Sequence, residues 1–136
     1  MSLSGKCLCG AVSYTCAVDP VFAGNCHCND CKKTSGSGYA PIMFFPENSV
    51  SISGEVKYFE SKGKSGNAVN RGFCPTCGSQ LFGKPAVLPG VLGIRAGSLD
   101  DTSQYKPQLD LFTRHAAAWD AMDQNLPQFP EMPPQS

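Results

Sequence analysis

Cys26-His27-Cys28-Asn29-Asp30-Cys31 decides how this chain is read. Three thiols stand within six residues, with a histidine between the first two. Thiolates this close repel one another unless a cation or oxidation unites them. Zinc is the cation that takes cysteine sulfur in tetrahedral geometry. No fourth thiol and no second histidine stand nearby in the sequence to close the shell. A zinc with three protein ligands and one open position serves chemistry rather than scaffolding. Cys26, Cys28 and Cys31 are therefore the candidate catalytic residues. On an extended segment, alternation puts Cys26 and Cys28 on one side and His27 on the other. His27 reads as packing or hydrogen-bond support, with a catalytic or substrate-contacting role as the alternative. Asn29 to Lys33 suits one helical turn, which returns Cys31 to the side of Cys28. Lys32 and Lys33 read as a solvated pair, or as charge offsetting a tri-thiolate site.

The remaining cysteines explain why no fourth ligand is in reach. Cys74-Pro75-Thr76-Cys77-Gly78 is a zinc knuckle, two thiols at C-x2-C spacing around a tight turn. It needs two more ligands. Cys7-Leu8-Cys9 offers them: on an extended segment both thiols face one way, and Leu8 points to the core. Cys7, Cys9, Cys74 and Cys77 then close a structural site whose metal contributes directly to folding. Cys16 lies on the apolar face of a strand over residues 11–18, between Tyr14 and Val18, and reads as a buried small hydrophobe.

The chain has 136 residues, the size of one domain. The expected division is a zinc-binding unit over 1–125 and a proline-rich tail over 126–136, packed on that unit or trailing from it. Lysine plus arginine (11) equals aspartate plus glutamate (11), so the formal net charge is zero. That speaks against nucleic acid or an anionic membrane as the main partner, since both select basic faces. No apolar run approaches the ~20 residues of a membrane span, and no signal-peptide core of about 7–15 apolar residues opens the chain. A cytoplasmic setting follows, in which clustered thiols stay reduced and act as ligands or catalysts.

Fourteen glycines and eleven prolines favour short strands and many turns. Strands are expected at 39–45, 49–53, 55–60, 69–73, 80–82, 91–96 and 108–113. Residues 116–122 are the one further helix-like run, and Trp119 within it reads as core or as a pocket wall. Ser61 to Gly66 is a polar, flexible turn. It has the composition of a phosphate-binding loop but not the pattern, because Tyr58 stands where the first glycine is required. Leu126 to Pro134 is too proline-rich for helix or central strand and should lie extended on the surface. The fold class is mainly β, with few short helices.

These residues resemble the glutathione-dependent formaldehyde-activating enzyme family, which shares its domain with centromere protein V. The matching pieces are Cys7-Leu8-Cys9-Gly10-Ala11-Val12, Cys26 through Gly36, Phe73-Cys74-Pro75-Thr76-Cys77-Gly78-Ser79, and a C-terminal pattern of Pro107, Trp119 and Leu126-Pro127-Gln128-Phe129. The resemblance implies a β-tent fold of small antiparallel sheets. It also implies two zinc ions per chain, one on Cys7, Cys9, Cys74 and Cys77 and one on Cys26, Cys28 and Cys31. Many members carry a histidine three positions after the motif proline, where this chain has Asp110. The implied activity is that of a carbon–sulfur lyase joining glutathione, or a related thiol, to formaldehyde or another small aldehyde. A tri-thiolate zinc carries net charge −1, which weakens it as an activator of water and leaves it soft enough for a fourth thiolate. The partners expected are thus a small thiol and a small aldehyde. The alternative is a non-catalytic, zinc-stabilised module that binds thiols or serves as a scaffold.

Overall fold

In the computed structural model, residues 3–63 and 66–133 are described. Lys64 and Ser65 of the expected polar turn, and Pro134 of the tail, lie outside them. The strands are β1 (Leu3–Lys6), β2 (Ser13–Cys16), β3 (Phe22–Cys26), β4 (Ala40–Pro46), β5 (Val50–Ser53), β6 (Lys57–Lys62), β7 (Ala68–Phe73), β8 (Gln80–Pro85), β9 (Val91–Arg95) and β10 (Leu109–Leu111). The single α-helix among the described residues, α1, spans Asn29–Ser35. The fold is mainly β. A small sheet runs β1-β2-β5 and a larger one runs β10-β3-β4-β9-β8-β7-β6.

The middle of the larger sheet is buried on both faces, and β4 shows why. Its sequence, Ala-Pro-Ile-Met-Phe-Phe-Pro, has no polar side chain on either face, as a strand covered on both sides requires. Met43 and Phe45 point to one face with Ala23, Phe82, Leu92 and Ile94, and meet Leu3, Val12, Tyr14 and Cys16 of the small sheet. This is the main core. Tyr14 sets its ring edge-on to Phe82 at 5.6 Å. Burying side chains of this size is worth about 1.5–3 kcal/mol each. Ala40, Ile42 and Phe44 point to the opposite face and pack with Cys26, Cys31 and Leu111. That second face holds the cysteine stretch.

The sheets are antiparallel except at one edge, where β10 pairs with β3 in parallel, Asp110 opposite Asn25 and Leu111 opposite Cys26. Gly24 makes the approach possible, since a Cβ there would stand 2.8 Å from the Leu109 side chain. The parallel pair departs from the expected all-antiparallel sheets.

Three local expectations fail. Leu8 is 89% exposed, because residues 8 and 9 form a turn after β1 instead of extending it. Residues 116–122 form no helix; Asp120 closes a turn onto the Ala117 carbonyl, and its carboxylate is engaged elsewhere. A run of seven residues has little helical stability of its own to resist this. Trp119 consequently stands 74% exposed, with one ring edge against Gly38. Cys16, by contrast, is buried at 1% exposure, as the alternation predicted.

The tail does not trail free. Asp110 donates its backbone N–H to the Pro127 carbonyl and accepts from the Phe129 N–H, both at 2.9 Å, and Thr113 donates to the Phe129 carbonyl at 3.0 Å.

Candidate metal centre and active site

Cys7, Cys9, Cys74 and Cys77 bring four sulfurs within 4.8 Å of one another. Cys7 and Cys9 stand 3.6 Å apart and Cys9 and Cys74 stand 3.7 Å apart. All eight cysteines are free thiols, and these separations are far beyond the ~2.05 Å of a disulfide. They match a zinc tetrahedron, whose edge for arms of ~2.3 Å is about 3.8 Å. The donor set fits the ion. Two hairpins supply it, one from each sheet. Between β1 and β2, the Cys7 N–H donates to the Val12 carbonyl at 2.9 Å and the Val12 N–H donates to the Cys7 sulfur at 3.3 Å. Between β7 and β8, Gly78 donates to the Cys74 carbonyl at 2.8 Å and adopts a left-handed φ of 78°, which closes the knuckle. Ser79 links the two by accepting from the Leu8 N–H at 3.1 Å. Its hydroxyl and backbone N–H hold Cys77 down near 5.

The sulfurs of Cys26, Cys28 and Cys31 also lie within 4.8 Å of one another. Cys26 ends β3, and Cys28 caps α1, accepting the Cys31 N–H at 3.2 Å. The helix then carries Cys31 into the interior. No carboxylate, histidine or fourth thiol joins this group among the described residues. The Cys26 and Cys31 thiols donate to Cys28 and hold it far below the usual thiol range. That same donation to Cys28, together with burial, raises Cys26 well above it. Cys31 gains from Cys26 but gives to Cys28 and is buried, and is pushed up to about 11. Without metal the group is thus one thiolate held by two thiols. Three convergent sulfurs of this kind are a fitting donor set for a soft or borderline ion such as zinc.

His27 is fully buried on the other side of the strand. Its Nδ1 meets Asp120 Oδ2 at 2.5 Å and its Nε2 meets Asp110 Oδ1 at 3.0 Å. Both ring nitrogens are engaged, so none is left for a metal. Asn25 donates to Asp110 at 3.3 Å, and Tyr105 donates to Asn25 at 2.7 Å. Asp110 and Asp120 together hold His27 in place, one on each ring nitrogen. Asp120 escaped the sequence reading because its run looked helical.

The lysines do not serve the site. Lys32 donates to the His115 carbonyl, and Lys33 is exposed. The positive charge near the sulfurs comes from Arg71 and Arg95, which the sequence reading missed. Both are buried, at 6% and 7% exposure. Arg71 favours the thiolate of Cys28, and Arg95 that of Cys31. A signal was present at Arg95, a charged residue that ends the apolar strand Val91–Arg95 and is followed by Ala96.

A cleft of about 910 Å³, within the range of small-molecule sites, is lined both by the hairpins of the four-cysteine group and by α1. Lys6, the Gly78–Gln80 loop, Thr34 and Ser35 of α1, Tyr39 and Arg95 line it. Cys7 of the four-cysteine group also lines it, whereas Cys26, Cys28 and Cys31 do not.

Residues 2–115 match the sequence pattern of the family described as glutathione-dependent formaldehyde-activating enzyme. The chain belongs to that family. Two curated relatives, from Aspergillus flavus and Aspergillus oryzae, carry the family's designation and are each 30% identical over 80 residues, 57% of this chain. The match takes in only 41% of their own length. A crystal structure of a Rhodobacter sphaeroides protein shares the fold, with a TM-score of 0.57 at 20% identity over 71% of this chain and 87% of that one. The family name couples glutathione to the activation of formaldehyde. No helix among the described residues is long and apolar enough to cross a membrane.

Proposed function

We propose that this chain is a zinc-dependent carbon–sulfur lyase that joins glutathione, or a related thiol, to formaldehyde or another small aldehyde. The observation that carries it is the contrast between its two cysteine groups. Four sulfurs gather in one group and three in the other; a zinc held by the three would have one tetrahedral position left for a substrate. Zinc in the three-cysteine group would supply an open, thiol-seeking position and lower the pKa of the thiol that enters it. The reaction forms one C–S bond. The sulfur lone pair attacks the carbonyl carbon, the C=O π pair moves to oxygen, and that oxygen takes the proton the thiol gives up. The protein's own part is to hold the thiol near the aldehyde, which can remove several kcal/mol of barrier. Burial of Cys26 and Cys31 keeps water from the sulfurs. Asp110 and Asp120 fix the ring between Cys26 and Cys28, and so the geometry of both thiols.

The zinc ligands in this reading are Cys7, Cys9, Cys74 and Cys77 for the structural ion and Cys26, Cys28 and Cys31 for the catalytic one. The free state of all eight cysteines suits a reducing, cytoplasmic setting. The catalytic unit is taken as 1–125 and the tail as 126–136, supported by the hydrogen bonds that Pro127 and Phe129 share with Asp110 and Thr113.

The test is Cys28→Ser, with the rate of adduct formation from glutathione and formaldehyde followed against the uncatalysed background. A rate reduced to background, with the four-cysteine zinc retained, supports the enzyme reading. A variant as fast as the unaltered protein defeats it. Glutathione binding without acceleration of any aldehyde favours the thiol-binding module instead.

A further inference from the structure

A second cavity, of about 220 Å³, opens where β3, β10 and the 120–126 segment meet. No cysteine lines it, and Tyr39 is the one residue it shares with the larger cleft. It is smaller than the sites of drug-sized ligands, so it admits a molecule of a few heavy atoms and not a tripeptide.

The lining is acidic. Asp110, Asp120 and Asp123 contribute to it, and no lysine or arginine does among the described residues. The side chains of Asp110 and Asp120 are buried, at 1% and 5% exposure, and share the His27 ring. A charged imidazolium would cancel one of these two carboxylates. The other stays in excess, and Asp123 adds to it. Among the described residues no lysine or arginine pairs with any of the three. Buried charge without full compensation is costly, so a cation in the cavity would stabilise the group.

The hydrogen bonds of Asp110 point the same way without any count of charge. Its Oδ1 meets His27 Nε2 at 3.0 Å and accepts from Asn25 Nδ2 at 3.3 Å. Its Oδ2 is buried and accepts from no group. Buried polar atoms ordinarily have a partner. With Oδ1 held by two residues of the β3 segment, Oδ2 is the oxygen that Asp110 leaves to the cavity.

The remaining walls favour an organic cation over a bare metal ion. Among the described residues, only the two cysteine groups bring three or more ligand atoms within 4.8 Å of one another; these carboxylates do not converge so closely. Pro107, Met122 and Leu126 supply apolar wall, and Tyr39 supplies an aromatic ring that packs 5.2 Å from the His27 ring. An alkyl chain suits the first and a cation the second. Turns fix the acidic side: the Asn125 N–H donates to the Asp123 carboxylate at 2.9 Å, and the Leu126 N–H to the Asp123 carbonyl at 3.2 Å.

We infer that this cavity is a site for a small primary alkylammonium ion, which donates to Asp110 Oδ2 and is balanced in charge by Asp120 and Asp123. The site is distinct from the thiol position, since none of the sulfurs lines it.

Calorimetry on the zinc-loaded protein at constant ionic strength tests it with three probes: propylammonium, propanol and potassium. Propylammonium should bind once per chain with a Kd of roughly 1 mM, a strength open to a ligand this small. It should bind at least about tenfold tighter than propanol, the margin of a charge-assisted bond to a buried carboxylate. Potassium at equal concentration should not displace it. Asp110→Asn should erase the preference over propanol. Asp123→Lys, at an exposed position, should abolish propylammonium binding by offering a competing ammonium, while His27 keeps both its partners. Should Asp110→Asn not fold, Asp123→Lys decides alone. No saturable binding, or equal affinity for propylammonium and propanol, overturns the site. So does undiminished binding by an Asp123→Lys protein that holds two zinc ions. Displacement by potassium at equal concentration overturns the alkylammonium assignment.

Discussion

Zinc binding to the three-cysteine group should release two protons, not three. The perturbation is a fall in pH from about 7.5 to 6.5, across which every thiol proton counts fully. In the metal-free group Cys28 is already a thiolate, because its two neighbours donate to it. Cys26 and Cys31 keep their protons, the first raised well above and the second pushed to about 11. Loading the metal needs all three as thiolates. Three independent thiols at the ordinary value of 9.0 would each lose a proton instead. Protons are products of binding, so affinity rises with pH. One proton over one pH unit is worth about 1.36 kcal/mol. The shared group should therefore lose about 2.7 kcal/mol on this acidification, roughly 100-fold in affinity; independent thiols would lose about 4.1 kcal/mol, roughly 1,000-fold. The assay is competition with a chelator at each pH, with the four-cysteine site kept filled; the three-cysteine metal should leave first. Calorimetry in two buffers of different ionisation enthalpy counts the protons directly. A thousandfold change, or none, would refute the shared-thiolate description.

Two further outcomes follow from burial and connectivity. Cys74→Ser should abolish cooperative folding, since a structural zinc site contributes about 10–16 kcal/mol, as much as the whole stability of most domains; a sharp thermal transition with one zinc bound would contradict this. His27→Phe should leave Asp110 and Asp120 buried without their partner and cost about 3–5 kcal/mol. Urea unfolding of the zinc-loaded protein measures that cost, and a loss below about 1 kcal/mol would mean the carboxylates find other partners.

Much of the fold was legible because strands and cysteine spacings carry local signals. Alternation placed Cys16 in the core and turned His27 away from the sulfurs, and the apolar run over 39–45 marked the strand found at Ala40–Pro46. The grouping of Cys7 and Cys9 with Cys74 and Cys77 was also readable, although for a partly wrong reason. The two N-terminal thiols converge through a turn, not along an extended strand, which is why Leu8 points to solvent. What stayed hidden depends on residues far apart in sequence. Asp120 looked helical because nothing local reveals that its carboxylate is needed 93 positions earlier, at His27. Arg71 and Arg95 come together only through the register of three strands, and Lys32 and Lys33 drew attention because they stand next to the cysteines in the chain. Adjacency in sequence was a poor guide to the charge around the site.

The hydrogen bonds between Asp110 and residues 127–129 have a consequence for association. A strand at the margin of a sheet offers its outward N–H and C=O groups to any other strand, and so invites chain-to-chain pairing. At β10 both outward groups of Asp110 are consumed by the segment that follows it, with Gln128 lying parallel alongside. At the opposite margin, β6 carries Lys57, Glu60 and Lys62, whose charges discourage stacking of one copy on another. The proline-rich tail therefore acts as a stop on growth of the sheet: it can occupy the margin, but its prolines lack the N–H groups that would offer a fresh one beyond it.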